Sequence, residues 1–392
     1  MRADLCIRGA GIVGRTLALL LAGSGLRVAL VQAAPTGTRD VRAYSLNASA
    51  RSLLQSLRVW PDEAAVPSAV TPVQRMRVMG DRGGQLQFDQ HEMGETPLNW
   101  MVDVPVLEEQ LAQAVQFQPL IEVRSEPVDA PLTVICEGRA SRTRAEFGVE
   151  FEVQAYPHHA VAARLHVAVP HGAQAWQWFG FGEADSGTSA SEVLALLPMG
   201  GAAGQEVALV WSVHPHRAQQ LMALSPEDFG QALTQACGQV LGPMQLCSER
   251  VVWPLQLARA SRWIGRVPGQ AQRSFALAGD AAHAMHPLAG QGLNVGLGDA
   301  AELARVLQGR EFWRSLDDLR LLRRYERARA ADVQAMSLVT DGLQHLFSPQ
   351  QGMWPVLRNW GLNAFDRSGP IKQAFMRHAM GRPTPPTPGA SS

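Results

Sequence analysis

The sequence predicts an α/β fold in which one sheet-and-helix domain is interrupted twice, and the insertions build a second domain rich in strands. Two stretches carry the prediction. A glycine-rich turn near the N-terminus stands between two apolar, strand-like runs. Far along the chain, another apolar run ends at Gly279-Asp280 and leads into a helical pattern near Gly292. Strand-like and helical stretches alternate between them, so neither domain is continuous in sequence.

The N-terminal stretch predicts a strand, a tight turn, a helix and a second strand within the ~30 residues that such a unit takes. A short apolar strand precedes Gly9-Ala-Gly11-Ile-Val-Gly14, a helix is predicted at 15–23, and a strand at 25–32. The spacing gives each glycine a separate role. Gly9 permits the turn, Gly11 lets amides approach a pyrophosphate, and Gly14 lets the helix pack closely on the sheet. We expect a dinucleotide site here.

The remaining elements follow from apolar periodicity. In chain order, the sequence predicts a helix at 48–57, strands within 73–102, a helix at 103–115, a buried strand at 133–136, strands at 151–155, 161–169, 176–181, 193–197 and 207–213, a helix at 226–241, a strand at 275–278 and mostly helix after Gly292. At the end of the strand at 275–278, the carboxylate of Asp280 and the amides of the helix that follows are suited to a polyhydroxylated chain and a developing negative charge.

Composition excludes several classes of function. The formal net charge is +0, so no overall field favours nucleic acid. The four cysteines are scattered without a CxxC pair, which argues against a metal site or a disulfide framework. No apolar run reaches the ~18 residues of a membrane span. The chain enters its first strand directly, so we expect no signal peptide and a cytoplasmic location.

Three segments together resemble one family. They are the turn from Gly9 to Gly14, the segment Arg42-Ala-Tyr-Ser-Leu, and the stretch from Gly279 through His286-Pro287 to Asn294. They resemble the FAD-dependent aromatic hydroxylases (group A flavoprotein monooxygenases), and within them the hydroxylases of ubiquinone biosynthesis. Further similar segments lie at 325–332, 341–348 and 357–381. The resemblance reaches about residue 382 and is looser over 145–250.

The resemblance implies a Rossmann-like FAD-binding domain with an inserted mixed β-sheet substrate domain and a C-terminal helical segment. The FAD-binding domain is expected at 1–72, 103–145 and 262–335. The substrate domain takes 73–102 and 146–261, and the C-terminal helices take 336–382. The proline-rich tail at 383–392 is predicted to be disordered.

The resemblance also implies which residues bind the cofactor. They are Gly9, Gly11, Ile12, Val13, Gly14, Gln32, Arg42, Asp280, Pro287, Gly290, Gly292, Leu293 and Asn294. The glycine turn holds the ADP part, with Gln32 at its ribose. Arg42 approaches the phosphates and ring, and Asp280 the ribityl chain. Pro287 lies near the flavin face, and amides from residues 290–294 reach the pyrimidine edge.

Alternative roles remain open for several of these side chains. Arg42 can be a surface arginine, and Asp280 can cap a turn. No residue is singled out as catalytic, although His286 and Pro287 are placed near flavin and substrate. His283 and His286 stand three apart without a carboxylate partner, which argues against a metal. Structural hydrogen bonding is the expected role of the two histidines.

Four positions depart from the family pattern. Gln32 stands where an acidic residue normally binds the ribose, so adenosine binding should be weaker. Pro105 replaces an arginine, Glu108 a glutamine, and Glu137 an aspartate. A carboxylate at position 108 would repel a pyrophosphate or a reduced flavin unless an arginine pairs with it.

The implied activity is ring hydroxylation of a polyprenylated phenol or quinol of ubiquinone synthesis. NAD(P)H reduces the flavin, O2 adds at C4a, and the hydroperoxide transfers oxygen to the ring. Hydroxylation of a small soluble aromatic and a non-catalytic role in a biosynthetic complex remain alternatives.

The residues that contact the substrate are the hardest to predict from the sequence. Apolar side chains that can line a pocket or fill the core are Trp176, Trp178, Phe179, Trp211, Trp253, Pro254 and Leu255. Amphipathic, basic segments at 356–365 and 371–380 can touch a membrane where a prenyl tail enters, or pack on the flavin domain. If these segments touch a membrane, the protein is expected to be cytoplasmic with peripheral contact at the inner membrane.

Overall fold

The structure, a computed structural model, describes residues 3–33, 43–80, 84–181, 192–201, 204–284 and 292–347, the last fourteen as backbone only. The strands are β1 (Leu5–Arg8), β2 (Val28–Val31), β3 (Ala43–Leu46), β4 (Val70–Val73), β5 (Arg75–Met79), β6 (Gln85–Asp89), β7 (Asn99–Asp103), β8 (Ile121–Arg124), β9 (Leu132–Ile135), β10 (Phe151–Val167), β11 (Gln174–Phe181), β12 (Glu192–Met199), β13 (Glu206–Val213), β14 (Met244–Leu246), β15 (Val251–Ala260), β16 (Ile264–Val267), β17 (Gln270–Leu277) and β18 (His283–Ala284). The helices are α1 (Ile12–Gly23), α2 (Ala48–Ser56), α3 (Val104–Gln116), α4 (Arg142–Glu146), α5 (Pro215–Ala223), α6 (Pro226–Ala236), α7 (Gly292–Gln308) and α8 (Leu319–Phe347).

The first sheet, called the parallel sheet below, has the order β16-β17-β9-β1-β2-β8. Its strands run parallel except for the edge strand β16, which is antiparallel to β17. The central strands β1 and β2 are almost wholly apolar, as expected of strands covered on both faces. Helix α1 packs against both α3 and α7. The carboxyl ends of β1, β9 and β17 therefore lie side by side.

The second sheet, called the large sheet, has the order β18-β15-β10-β13-β12-β11-β5-β6 in the described residues, with β14 paired to β10. Helices α5 and α6 and the side chains of Leu209, Trp211 and Phe229 form the core on one of its faces. The strands predicted at 151–155 and 161–169 belong to the single strand β10, which ends at Val167 and has an irregularity between Ala155 and His159.

The third, small sheet has the order β3-β7-β4. Residues 73–102 were expected to join the substrate domain as a block, and the strands divide them instead. Strands β5 and β6 join the large sheet, whereas β4 and β7 pair with β3. The small sheet packs on the large one where Val73 and Met101 meet Leu197 and Met199.

Other differences from the sequence prediction are local. The helix predicted at 226–241 ends at Ala236, because Gly238 and Gln239 take positive φ values of 63° and 60°. Helices α4 and α5 were not predicted. Helix α8 runs without a break through residue 335, where a domain limit was expected. The domain limits themselves stay a prediction. Among the described residues, no helix combines the length and the apolar character needed to cross a bilayer.

Candidate cofactor site

The turn after β1 is shaped by the absence of side chains. Gly9 has a φ of +110°, and a Cβ there would collide with the carbonyl group of Cys136. A Cβ on Gly14 would collide with the carbonyl oxygen of Gly9. Gly11 differs, because it is exposed and a Cβ there would meet nothing within 4 Å. Gly9 and Gly14 are thus required by the backbone, and Gly11 faces open space that a ligand can enter.

The first turn of α1 offers bare amides to that space. Gly11 is the N-cap and supplies no side-chain acceptor. The first hydrogen bond of the helix runs from the Arg15 amide to the Gly11 carbonyl, at 2.9 Å. The amides of Ile12, Val13 and Gly14 precede it and lack intrahelical acceptors. Amides at the positive end of a helix suit a diphosphate, so this cradle fits the ADP part of FAD.

Gln32 lies next to this turn, at the carboxyl end of β2. The Gly9 amide donates to the carbonyl of Val31 at 3.0 Å, and the Gln32 amide donates to the carbonyl of Arg124 at 2.8 Å. Gln32 itself is exposed. The ribose contact of Gln32 stays a prediction.

Glu137, another of the departures from the family pattern, has a structural explanation. Its carboxylate accepts hydrogen bonds from the hydroxyls of Ser141 (2.8 Å) and Thr143 (2.6 Å) and from the Thr143 amide (3.2 Å). It also forms an ion pair with Arg8, at 3.2 Å. Burial opposes ionisation, but these hydrogen bonds and the charge of Arg8 hold the pKa of Glu137 below its ordinary value. The longer carboxylate therefore anchors the start of α4.

Pro105 and Glu108 also fit their surroundings. Pro105 lies in the first turn of α3, where a helix does not need the missing N–H. Glu108 lies about one turn later and is half-buried. Arg15 donates to its carbonyl oxygen at 3.3 Å, and burial lowers the pKa of Arg15 while the Glu108 charge opposes that change. Arg15 thus contacts the backbone of Glu108, and its charge lies close enough to be felt by the Glu108 carboxylate. Arg42 lies outside the described residues.

A second turn follows β17 and carries Asp280. Gly279 has a φ of +64° and begins a short 3-10 turn that ends at Ala281. Asp280 is exposed, while its neighbours on both sides are buried. Arg144 donates to the carbonyl of Ala281 at 3.1 Å, and its guanidinium stacks 3.5 Å from the centre of the Phe151 ring. The turn is therefore rigid, and the Asp280 carboxylate points away from the core.

The two turns meet at the side chain of Val13. A Cβ on Gly279 would lie 3.3 Å from a methyl group of Val13, and one on Gly296 would lie 2.9 Å from the same methyl group. The first turn of α1, the turn after β17 and helix α7 are thus in direct contact. The structure brings together two motifs that are about 270 residues apart in sequence.

His283 has a buried acidic partner that the sequence analysis missed. Its Nε2 lies 2.6 Å from a carboxylate oxygen of Asp299 in α7. The same oxygen accepts from the Gly279 amide at 2.9 Å, and the other oxygen accepts from Arg329 at 2.7 Å. The expected structural role of His283 is therefore observed, whereas His286 lies outside the described residues. The sequence signal for Asp299 is a carboxylate that follows the apolar first half of α7.

The start of α7 is tied to the small sheet. Asn294 accepts from the Asn47 amide at 2.9 Å and donates to the carbonyl of Ser45 at 2.7 Å. Gly292, Leu293 and Asn294 lie in the first turn, so their amides lack intrahelical acceptors. Pro287 and Gly290, predicted to contribute to the same site, lie outside the described residues.

The aromatic residues considered as a substrate wall divide between the two faces of the large sheet. Trp176 and Trp211 point into the core under α5 and α6, and Trp211 donates to Glu192 at 2.8 Å. Phe179 and Leu255 are buried, whereas Trp253 is half-buried and Pro254 exposed. Trp178 packs at the edge of the same core.

The opposite face of the large sheet carries small side chains. Ala162, Ala195 and Gln177 lie in one row across the strands, with Val210 between the two alanines, and Ser212 lies beside Ala160. Ala160, Ala162, Ala195, Gln177 and Ser212 are the small or polar members of this face. All five are buried, and Gln177 and Ser212 are the polar side chains among them. The sequence analysis missed this face because it looked for large aromatic side chains.

Comparisons with known proteins identify the family. The model of the FAD binding domain family matches residues 89–339, more than half of the chain. The ubiquinone hydroxylase UbiL of Rhodospirillum rubrum is 29% identical, over 98% of this chain and 92% of the relative. The 3-demethoxyubiquinol 3-hydroxylase of Escherichia coli is 27% identical, over 96% of this chain and 98% of the relative.

Solved structures agree on the fold. The p-nitrophenol 4-monooxygenase PnpA of Pseudomonas putida superposes with a TM-score of 0.73 at 14% identity, covering 98% of this chain and 99% of the other. PqsL of P. aeruginosa, solved with 2-aminobenzoylacetate, superposes with a TM-score of 0.72 at 20% identity and covers 92% of this chain and 99% of the other. The α/β fold and the cofactor class predicted from the sequence are thereby confirmed. The chain belongs to the FAD-binding domain family and is an FAD-dependent monooxygenase.

Proposed function

We propose that this protein hydroxylates the ring of a polyprenylated phenol or quinol in ubiquinone biosynthesis, with NAD(P)H as the reductant and O2 as the oxygen source. The observation that carries the proposal is the contact of the two turns at Val13, which supplies both ends of one extended cofactor site. The names of the full-length relatives point to the ubiquinone pathway.

Each turn has a separate role in this proposal. The amides of Ile12, Val13 and Gly14 bind the diphosphate of FAD, and Gln32 binds the adenosine ribose through uncharged hydrogen bonds. Asp280 accepts from hydroxyls of the ribityl chain. The amides at the start of α7 face the pyrimidine edge of the flavin, where they stabilise negative charge. When bound, FAD supplies the redox chemistry, and the protein supplies orientation and a dry cavity.

The substrate ring is proposed to lie against the small-residue face of the large sheet. Ala160, Ala162 and Ala195 leave room for a flat ring, and their apolar surface excludes water. Gln177 offers both a donor and an acceptor, and Ser212 offers a hydroxyl. Ring hydroxyls of a phenol or quinol would hydrogen-bond with Gln177 and Ser212, which favours this substrate class over a hydrocarbon.

The test begins with the visible spectrum of the purified protein with and without added FAD. Bound flavin absorbance is expected, followed by NAD(P)H oxidation that a prenylated phenol accelerates. Mass spectrometry of a reaction run under heavy-isotope O2 should find one labelled oxygen atom in the product. The Gln177→Leu variant separates substrate binding from cofactor binding. It should bind FAD normally and raise KM for the phenol.

Three outcomes would contradict the proposal. Absence of flavin binding at micromolar FAD would overturn the cofactor assignment. Faster turnover of short soluble phenols than of prenylated ones would favour the small-aromatic alternative. Unlabelled product would exclude monooxygenation of that substrate.

We further propose that the protein acts at the cytoplasmic side of the inner membrane, where a prenyl tail can enter the pocket, and that it works within a biosynthetic complex. The segments at 356–365 and 371–380, which suggested membrane contact, lie outside the described residues. Co-sedimentation with anionic vesicles, with and without prenylated phenol, tests the membrane contact. Equal recovery in the supernatant at all lipid concentrations would contradict it.

A further inference from the structure

A fully buried carboxylate lies behind the Asp280 turn. Asp299 in α7 has no exposed surface, and both of its oxygens accept strong hydrogen bonds. One oxygen takes His283 Nε2 at 2.6 Å and the Gly279 amide at 2.9 Å, and the other takes Arg329 Nε at 2.7 Å. A buried carboxylate whose hydrogen-bond partners are all present is held rigidly. Removing one of these partners strongly lowers the stability of the fold.

The positions of two of these partners give the carboxylate its effect. Gly279 immediately precedes Asp280, and His283 follows it by three residues. A single oxygen of Asp299 therefore holds both ends of the turn that presents Asp280. Gly279 also takes a positive φ of 64°, so the path of the backbone at this point is sharply defined. Asp299 sets the direction of Asp280 without touching it.

The third partner extends the same control to α7. Arg329 donates to the carbonyl of Val295 at 3.1 Å, near the start of that helix, and pairs with Asp332 at 2.7 Å. A Cβ on Gly298 would lie 3.0 Å from its guanidinium, so the arginine packs flat against the helix. The charge of Arg329 compensates that of Asp299. Burial opposes ionisation of Asp299, but His283 and Arg329 hold its pKa below the ordinary value.

His283 is also fixed from its other side. Its ring lies 5.0 Å from the ring of Trp263, centre to centre, and the Trp263 amide donates to Glu326 at 2.9 Å. Tyr325 donates to the carbonyl of Leu277 at 2.7 Å, which holds the end of β17. The imidazole therefore has one orientation, with Nε2 directed at Asp299.

We propose that Asp299 is a positioning residue of the flavin site: its carboxylate aims Asp280 at the cofactor and so sets the affinity for FAD. This inference rests on the proposed placement of FAD. It assigns to His283 and Arg329 the roles of supports that act through Asp299.

The experiment is a double-mutant cycle on FAD affinity, measured by quenching of flavin fluorescence. Asp299→Asn keeps the shape but puts an amide donor opposite existing donors, so FAD should bind roughly tenfold to a hundredfold more weakly. Asp280→Ala should weaken binding by a similar factor. If Asp299 acts through Asp280, its substitution in the Asp280→Ala background should cost much less than in the wild type.

Two further variants keep the test decisive if Asp299→Asn does not fold. His283→Gln retains a donor toward Asp299 and should bind FAD nearly as the wild type does, whereas His283→Leu should bind several-fold more weakly. Glu302→Gln, at an exposed ion pair on the same helix, is the control and should change nothing. The visible spectrum at saturating FAD should shift in His283→Leu and return in His283→Gln.

Additive losses in the cycle, or equal affinities of His283→Gln and His283→Leu, would overturn the positioning role while leaving the flavin site intact. Failure of the wild type itself to bind FAD would overturn the proposed function and this inference with it.

Discussion

The two turns of the cofactor site are held in opposite ways. The turn after β1 is fixed by what is missing, because a Cβ on Gly9 or Gly14 would collide with backbone carbonyls. The turn after β17 is fixed by what is present, the charges of Asp299 and Arg329 and the ring of His283. The first turn depends on shape and is indifferent to protonation. The second depends on charge, so replacing one carboxylate oxygen by an amide nitrogen, as in Asp299→Asn, can disturb it.

The largest expected effect comes from Gly14→Ala. The added methyl group meets the carbonyl oxygen of Gly9, so α1 must move away from the sheet, which should lower the free energy of unfolding by about 3 kcal/mol. Urea denaturation measures this change.

Gly11→Ala is the matched control for the same turn. Its methyl group enters open space, so stability should stay within about 0.5 kcal/mol of the wild type while FAD affinity falls. Unchanged FAD affinity in Gly11→Ala would show that the diphosphate does not bind at α1.

Arg144 connects the turn after β17 to the segment that follows β9, and its removal should disturb both. Arg144→Met leaves the carbonyls of Ala281 and Arg139 without their donor, which should cost about 2 kcal/mol of stability. FAD affinity should fall as well, since Ala281 belongs to the Asp280 turn. Arg142→Met, on the exposed side of the same short helix, should affect neither measurement.

Glu137 adds one charge-dependent contact to the otherwise shape-dependent turn. Glu137→Gln should lower stability by about 1 kcal/mol at neutral pH and leave FAD affinity nearly unchanged. Because folding lowers the pKa of Glu137, its contribution is present above the unfolded pKa and is lost as the pH falls through the folded value. The stability difference between wild type and variant should therefore shrink below about pH 4.5. A constant difference down to the acid transition would argue against the ion pair.

The smallest expected effect is a gain. Gln32→Glu places a charged acceptor at the adenosine ribose, which should tighten FAD binding roughly threefold to tenfold. Isothermal titration of FAD into the apoprotein measures it. Weaker binding would mean that the Gln32 side chain faces the diphosphate instead.

Local patterns were enough to predict the first turn and most strands. The spacing of Gly9, Gly11 and Gly14 is itself the constraint that shapes that turn, so it can be recognised without knowing the fold. The carboxylate at a strand end also indicated the second turn, but the groups that hold it could not be predicted, because Asp299 finds its partners 16 and 30 residues away. The sequence around Asp299 does not predict that His283 and Arg329 are its partners.

The large sheet shows the same limit. The alternation in β10–β13 predicts strands, but the choice of which face meets the cofactor domain depends on pairing across the whole sheet. From the sequence, Trp176 and Trp211 could line a pocket or fill the core, and the structure places both in the core. The buried polar side chains of Gln177 and Ser212 lie on the opposite face, which is the candidate pocket.

The short strand β18 has a consequence for the kinetics of flavin release. It pairs with β15 at Ala258 and Arg259, and the Ala260 amide donates to the carbonyl of Ala282 at 2.8 Å. The Asp280 turn is therefore joined directly to β18, the edge strand of the large sheet. Fraying of that edge would detach the turn in the same event, so amide exchange at Ala260 and dissociation of FAD should share one rate constant and one temperature dependence.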